Sequence, residues 1–115
     1  MKHLSKEVSF PLAKLLKEKG QNIISSKLMY ASNGELTDAI YDFDDWCFAP
    51  TIAEVIDWLF EKHGIWINVT ISQEDGWEYI IGNTITFDGL GYKSLFNSPK
   101  EAYEAAIEHT LNELI

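Results

Sequence analysis

Asp42, Asp44 and Asp45, with Asp38 shortly before them, form the densest cluster of oxygen ligands in the chain, and a hard cation is what such a cluster would hold. The segment lacks the loop glycine and the distal bidentate glutamate of a calcium hand, so the acids read as solvated loop residues. Glu54, Asp57 and Glu61 share one helical face, yet paired catalytic carboxylates need different, partly dry surroundings to separate their pKa values. His3, His63 and His109 show no spacing that would close a metal site. Cys47, between Trp46 and Phe48, lies close before a helix start that would favour a thiolate, but no partner histidine can be named, and a small buried filler is the preferred reading. Gly89-Leu90-Gly91 lacks the lysine and the strand-to-helix setting of a phosphate cradle. No catalytic residue, metal or cofactor is assigned, and the chain is read as a non-enzyme.

The aromatic residues say more. Trp58 and Trp66 both fall opposite the apolar stripes of their segments, and Trp77 and Tyr79 follow on the next strand. Exposed together, these four would form a protein-binding patch, since such rings concentrate at interface hot spots. The competing reading is that a helix or the 42–48 loop covers that side of the sheet.

The elements that must position these residues are marked by two capping boxes, Thr51-Ile52-Ala53-Glu54 behind Pro50 and Ser98-Pro99-Lys100-Glu101. The first opens a helix over 52–62 with a stripe of Ile52, Val55, Ile56, Leu59 and Phe60, closing near Gly64. The second opens a helix over 99–114 that buries Ala102, Tyr103, Ala106, Ile107, Thr110 and Leu114. Residues 65–71 alternate as a strand, Asp75-Gly76 marks a turn, and 77–81 return. Gly82-Asn83 reads as another tight turn before a strand over 84–87, with an edge strand over 92–96. Near the start, Ser9 caps a helix that tolerates Pro11 and stops at Gly20, with Leu12, Leu15 and Leu16 on one face. Asn33-Gly34, between runs at 23–31 and 36–41, signals a hairpin whose central residues both take positive φ. Residues 42–49 are expected to be a loop. The pattern predicts an α+β fold over 1–115 as a single domain. It consists of an antiparallel sheet of three to five strands with two amphipathic helices packed on one face, completed by the N-terminal helix and hairpin.

Composition narrows the function classes. The 115 residues are 46% hydrophobic and 13% aromatic, which suits a packed globule with one core. No run approaches the roughly 20 apolar residues of a membrane span. The charged start, Met1-Lys2-His3-Leu4-Ser5-Lys6-Glu7, lacks the apolar run of a secretory signal, so a cytoplasmic protein is expected. The lone cysteine fits a reducing compartment. Residues 1–27 hold six of the nine lysines, and the remainder sets 16 acids against Lys62, Lys93 and Lys100. With no arginine and a net charge of −9, direct nucleic-acid binding is not expected.

Three segments resemble a group of short proteins of gut anaerobic bacteria, their prophages and mobile elements, a group without an assigned activity. They are Ala49-Pro50-Thr51 leading to Trp58-Leu59, then Gly64-Ile65-Trp66-Ile67 with Trp77-Glu78-Tyr79-Ile80-Ile81, and Ser98-Pro99-Lys100-Glu101-Ala102 with Glu104-Ala105. The likeness covers roughly 46–115, with a weaker echo in 13–20. It implies a phage-associated setting and brings no site residue with it. The leading expectation is a non-enzymatic module that binds a protein partner through Trp58, Trp66, Trp77 and Tyr79. The alternatives are an acidic mimic of nucleic acid that blocks a DNA-binding protein and, last, a small hydrolase or thiol enzyme. A homodimer through an open sheet edge or the tryptophan face stays open.

Overall fold

The computed structural model describes residues 7–19, 28–38, 46–72, 76–83 and 89–115. The expected helix stop at Gly20, the strands over 23–27 and 84–87, the Asp75 side of the turn, His3 and the acids Asp42, Asp44 and Asp45 lie outside them. The fold is α+β, with three α-helices and two three-stranded antiparallel sheets among the described residues. The chain divides into two compact units, Met1–Ile52 and Ala53–Ile115. No helix among the described residues is long and apolar enough to cross a membrane.

In the first unit, α1 (Phe10–Glu18) starts behind Ser9, whose extended backbone (φ −65°, ψ 160°) puts it at the N-cap position, with a proline in the first turn. Leu12, Ala13 and Leu16 are buried and Leu15 is half-buried, while Lys14, Lys17 and Glu18 face out, as the stripe requires. Three short strands, β1 (Leu28–Tyr30), β2 (Leu36–Asp38) and β3 (Cys47–Phe48), pair in the order β2-β1-β3. The hairpin is where Asn33-Gly34 put it, but the turn is of another kind. The Ala31 carbonyl accepts from Gly34 N–H at 2.9 Å, and Ala31 N–H donates to Glu35 O at 2.9 Å, so the loop is three residues long. Gly34 alone of the described loop residues takes positive φ (90°), the arrangement of a type I turn followed by a left-handed glycine. Asn33 instead uses its side chain, accepting from Glu35 N–H at 3.0 Å.

The expected loop over 42–49 is corrected at its end. Cys47 and Phe48 form β3, which pairs with β1 at Met29↔Phe48 and Tyr30↔Cys47. Two residues are too few to show a period, and the ladder partner rather than the local sequence makes this strand. The buried Tyr30 hydroxyl donates to Val8 O at 2.6 Å, and Val8 N–H donates to Pro50 O at 2.9 Å, tying the entry of α1 to the sheet and to the end of β3.

In the second unit, α2 (Ile52–His63) ends at Gly64, whose φ of 64° and N–H to Phe60 O bond of 3.0 Å form a left-handed C-cap. Its apolar stripe is narrower than expected. Val55 and Leu59 are buried, Ile52 and Ile56 are half-buried, and Phe60, at the trailing edge of the stripe, is exposed. Strands β4 (Ile65–Ser72), β5 (Gly76–Asn83) and β6 (Gly89–Phe96) follow in simple meander order. The Gly82-Asn83 turn is overturned: both residues are in β5, with Gly82 opposite Trp66 and Asn83 opposite Ile65. β6 likewise begins at Gly89, so the Gly89-Leu90-Gly91 segment is ladder, kinked by register shifts near Gly82 and between Trp77 and Tyr79.

α3 (Pro99–His109) opens on a true cap, with Ser98 Oγ accepting from Glu101 N–H at 3.2 Å. The reciprocal arm reaches one residue further back than the box predicts, Glu101 Oε2 accepting from Asn97 N–H at 3.0 Å. The helix packs on all three strands and closes in a π-helical turn, Thr110–Leu114. Ala102, Ala106, Ile107, Thr110 and Leu111 are fully buried, whereas Tyr103 and Leu114 are half-buried. The buried Thr110 hydroxyl donates to Ala106 O at 2.8 Å, which satisfies it inside an apolar interface.

Candidate functional site

Strand alternation and register sort the aromatic residues. Ile65, Ile67, Val69 and Ile71 share a face with Trp77, Tyr79 and Ile81 and, across the next pairing, with Gly91, Lys93 and Phe96. This is the α3 face, since a side-chain carbon built on Gly91 would meet the His109 ring at 3.3 Å. Trp66, Asn68 and Thr70 lie on the other face with Glu78, Ile80, Gly82 and Tyr92. The four aromatic residues singled out in the sequence therefore do not form one patch.

Trp66 is half-buried because its indole lies on Gly82, where an added carbon would fall 2.0 Å from the ring. A glycine in mid-strand is covered by the aromatic side chain opposite it, a device that restores packing at a weak strand position. On the same face Tyr92 is 62% exposed and donates to Glu78 Oε2 at 2.8 Å. Trp58, on α2, is half-buried and meets the His63 ring edge-on at 5.1 Å. Tyr79 is 5% exposed, stacked on Phe96 at 5.7 Å, so its ring belongs to the core and not to a surface patch.

Two other features of this sheet stand out. At the end nearest the β4–β5 connection, Ile71, Trp77 and Phe96 form a row across the three strands on the α3 face. Ile71 is 65% exposed there, and Trp77 and Phe96 are half-buried. Immediately before Phe96 in the chain, Leu95 sits in the β6 irregularity with φ 76° and is 73% exposed. A bulky L-residue in left-handed conformation is a genuine outlier. The second feature is a pocket of about 300 Å³ between β5, β6 and the end of α3, lined by Tyr79, Lys93, Ala105, Glu108, His109, Asn112 and Glu113.

The reactive-residue candidates fare differently. Cys47 is 4% exposed, and burial pushes its thiol above the ordinary value although Lys17 and Lys14 pull it down, so the thiolate is disfavoured. His63 and His109 lie on different elements, and among the described residues no group of His, Cys, Asp and Glu has the geometry to hold a metal ion. Of the expected solvated face, Asp57 and Glu61 are exposed and Glu54 is half-buried. In comparisons with known proteins the chain matches no family model, no curated protein and no solved structure.

Sequence reasoning missed Leu95, Ile71 and the pocket. Ile71 completed a strand pattern and was assigned to the core, and Leu95 carries no turn signal that would announce positive φ. Ala105, Glu108, His109 and Asn112 do follow helical spacing, but their strand partners Tyr79 and Lys93 are distant in sequence.

Proposed function

We propose that the protein is a non-enzymatic binding module that docks a partner protein through the exposed apolar end of the β4–β5–β6 sheet. The observation that carries this reading is the row of Ile71, Trp77 and Phe96, with Ile71 65% exposed and, next to Phe96 in the chain, Leu95 held at φ 76° with most of its surface in water. Strained residues cluster at ligand clamps and binding sites, held by the structure around them, here the irregularity of β6. Trp77 serves as the aromatic anchor among smaller apolar neighbours, the composition of an interface hot spot.

Charge defines the partner. Ala53–Ile115 holds eleven of the eighteen acids and three of the nine lysines, so the unit that carries the apolar row is acidic as a whole, although the Lys93 ammonium lies 6.0 Å from the Phe96 ring. The matching surface is an apolar cleft rimmed by lysine and arginine. The resemblance to prophage and mobile-element proteins supports a bacterial host as the source of such a partner. The test is capture from host lysate on immobilised protein at low and high salt, comparing the wild type with Trp77→Ser, Leu95→Asn and Trp58→Ala. A partner lost with the first two variants, kept with the third and weakened by salt supports the reading. Equal recovery by all four, or a concentration-dependent homodimer that the first two variants abolish, overturns it.

A further inference from the structure

The pocket at the end of α3 is polarised by the elements that build it. Its strand side contributes the Lys93 ammonium and the Tyr79 phenol, which face each other in register across β5 and β6. Its helical side contributes Glu108, His109, Asn112 and Glu113. Lys93, Glu108, His109 and Glu113 make no hydrogen bond or ion pair among the described residues, although opposite charges line the same small space. The contact the structure gives Lys93 is a weak one, its ammonium 6.0 Å from the centre of the Phe96 ring. The Tyr79 ring is 5% exposed, and since no fully buried side-chain oxygen or nitrogen among the described residues lacks a partner, its unpartnered hydroxyl opens onto the pocket. Its pKa is raised by burial, so at neutral pH it is a hydrogen-bond donor.

Two further details belong to the same place. Gly91 leaves the room that the His109 ring occupies, since an added carbon would approach that ring to 3.3 Å. The helix also widens into its π-turn beside the pocket, a departure from regular geometry that recurs at functional sites.

We propose that this pocket binds a small zwitterion of amino-acid size, its carboxylate on Lys93 and the Tyr79 hydroxyl and its ammonium on Glu108 and Glu113. A purely anionic ligand would leave two carboxylates facing it, and a purely cationic one would face Lys93. A molecule with both charges separated by a short span satisfies each side. The volume is at the lower end of small-molecule sites, which favours a single amino acid over a peptide. Lys93, Glu108, Asn112 and Glu113 are solvent-exposed, so each charged contact is screened and the affinity falls in the millimolar range.

The experiment is amide NMR of the whole chain titrated with each standard amino acid singly at millimolar concentration. The expected result is saturable shifts at Gly91, Lys93, His109 and Asn112 with at least one of them. Lys93→Met and Glu113→Gln, both at exposed positions, should each weaken that binding by about two- to fivefold, the size expected for a lost solvent-screened charged contact. The deaminated and decarboxylated analogues of the same amino acid should weaken it comparably. Absence of shifts with every amino acid, unchanged binding in both variants, or an analogue that binds as well as the parent compound overturns the proposal. None of these readouts depends on the apolar end of the sheet, so this site and the protein-docking surface stand or fall separately.

Discussion

Leu95 offers a test in which backbone strain and side-chain packing pull in opposite directions. Its φ of 76° places an L-residue where the left-handed region costs about 1–2 kcal/mol. The side chain is 73% exposed, so removing it forfeits about a quarter of what full leucine burial is worth, about 0.4–0.8 kcal/mol. Leu95→Ala keeps the strain and loses the packing, and should destabilise by about 0.5 kcal/mol. Leu95→Gly removes the strain but adds freedom to the unfolded chain worth about 0.4–1 kcal/mol, and should come out near neutral. Leu95→Asn tolerates the conformation without that entropic cost, and should stabilise by about 0.5 kcal/mol. Urea unfolding resolves this order if the transition slopes agree among variants, and the Asn variant should melt about 2–4 °C higher than the wild type. An asparagine variant no more stable than the alanine variant would refute the strain argument, and with it the claim that stability is forgone there to present a leucine.

Other consequences are open to direct measurement. Gly82→Ala drives a carbon into the Trp66 indole and should cost about 1–3 kcal/mol by chemical denaturation; in a Trp66→Ala background most of that cost should vanish. Ser98→Ala removes the acceptor for Glu101 N–H and should cost about 1 kcal/mol, with helix loss seen by circular dichroism at lower denaturant. Burial raises the Cys47 pKa, so the folded state retains a proton that the unfolded chain gives up. The stability from this difference is complete below the ordinary thiol value of about 8.5 and is lost as pH rises through the higher folded value. Cys47→Ala should therefore show a flatter alkaline decline in unfolding free energy than the wild type. The native thiol should also react with a disulfide reagent far more slowly than free cysteine.

The helices were legible because their signals are local. A hydroxyl three residues before a glutamate at the start of an apolar periodic run signals a cap, and Ser98 with Glu101 forms one here. Turn chemistry was legible in position but not in type. Asn33-Gly34 names the hairpin tip, yet whether one or both residues take positive φ depends on the loop length that the paired strands permit. Gly82-Asn83 failed for a complementary reason. Its dipeptide reads as a turn in isolation, while the β4–β5 register places Gly82 opposite Trp66, where the missing side chain makes room for an indole. The glycine answers a partner across the sheet, and no window of neighbouring residues contains that partner.

The same distinction governs the candidate sites. Trp58, Trp66, Trp77 and Tyr79 were grouped by residue type, but alternation along β4 and β5 sends Trp66 to one face and Trp77 with Tyr79 to the other. On that second face burial then separates Tyr79, stacked against Phe96 within the core, from Trp77 at the exposed end. The surface that survives is built from one anticipated residue and three that looked structural. An exposed isoleucine in a strand reads as core until the helix that should cover it is seen to lie elsewhere along the sheet. The two proposed sites in this unit therefore differ in kind: at one end of the sheet Ile71 is left exposed in a row with Trp77 and Phe96, and along the last turns of α3 a pocket is lined by charges of both signs.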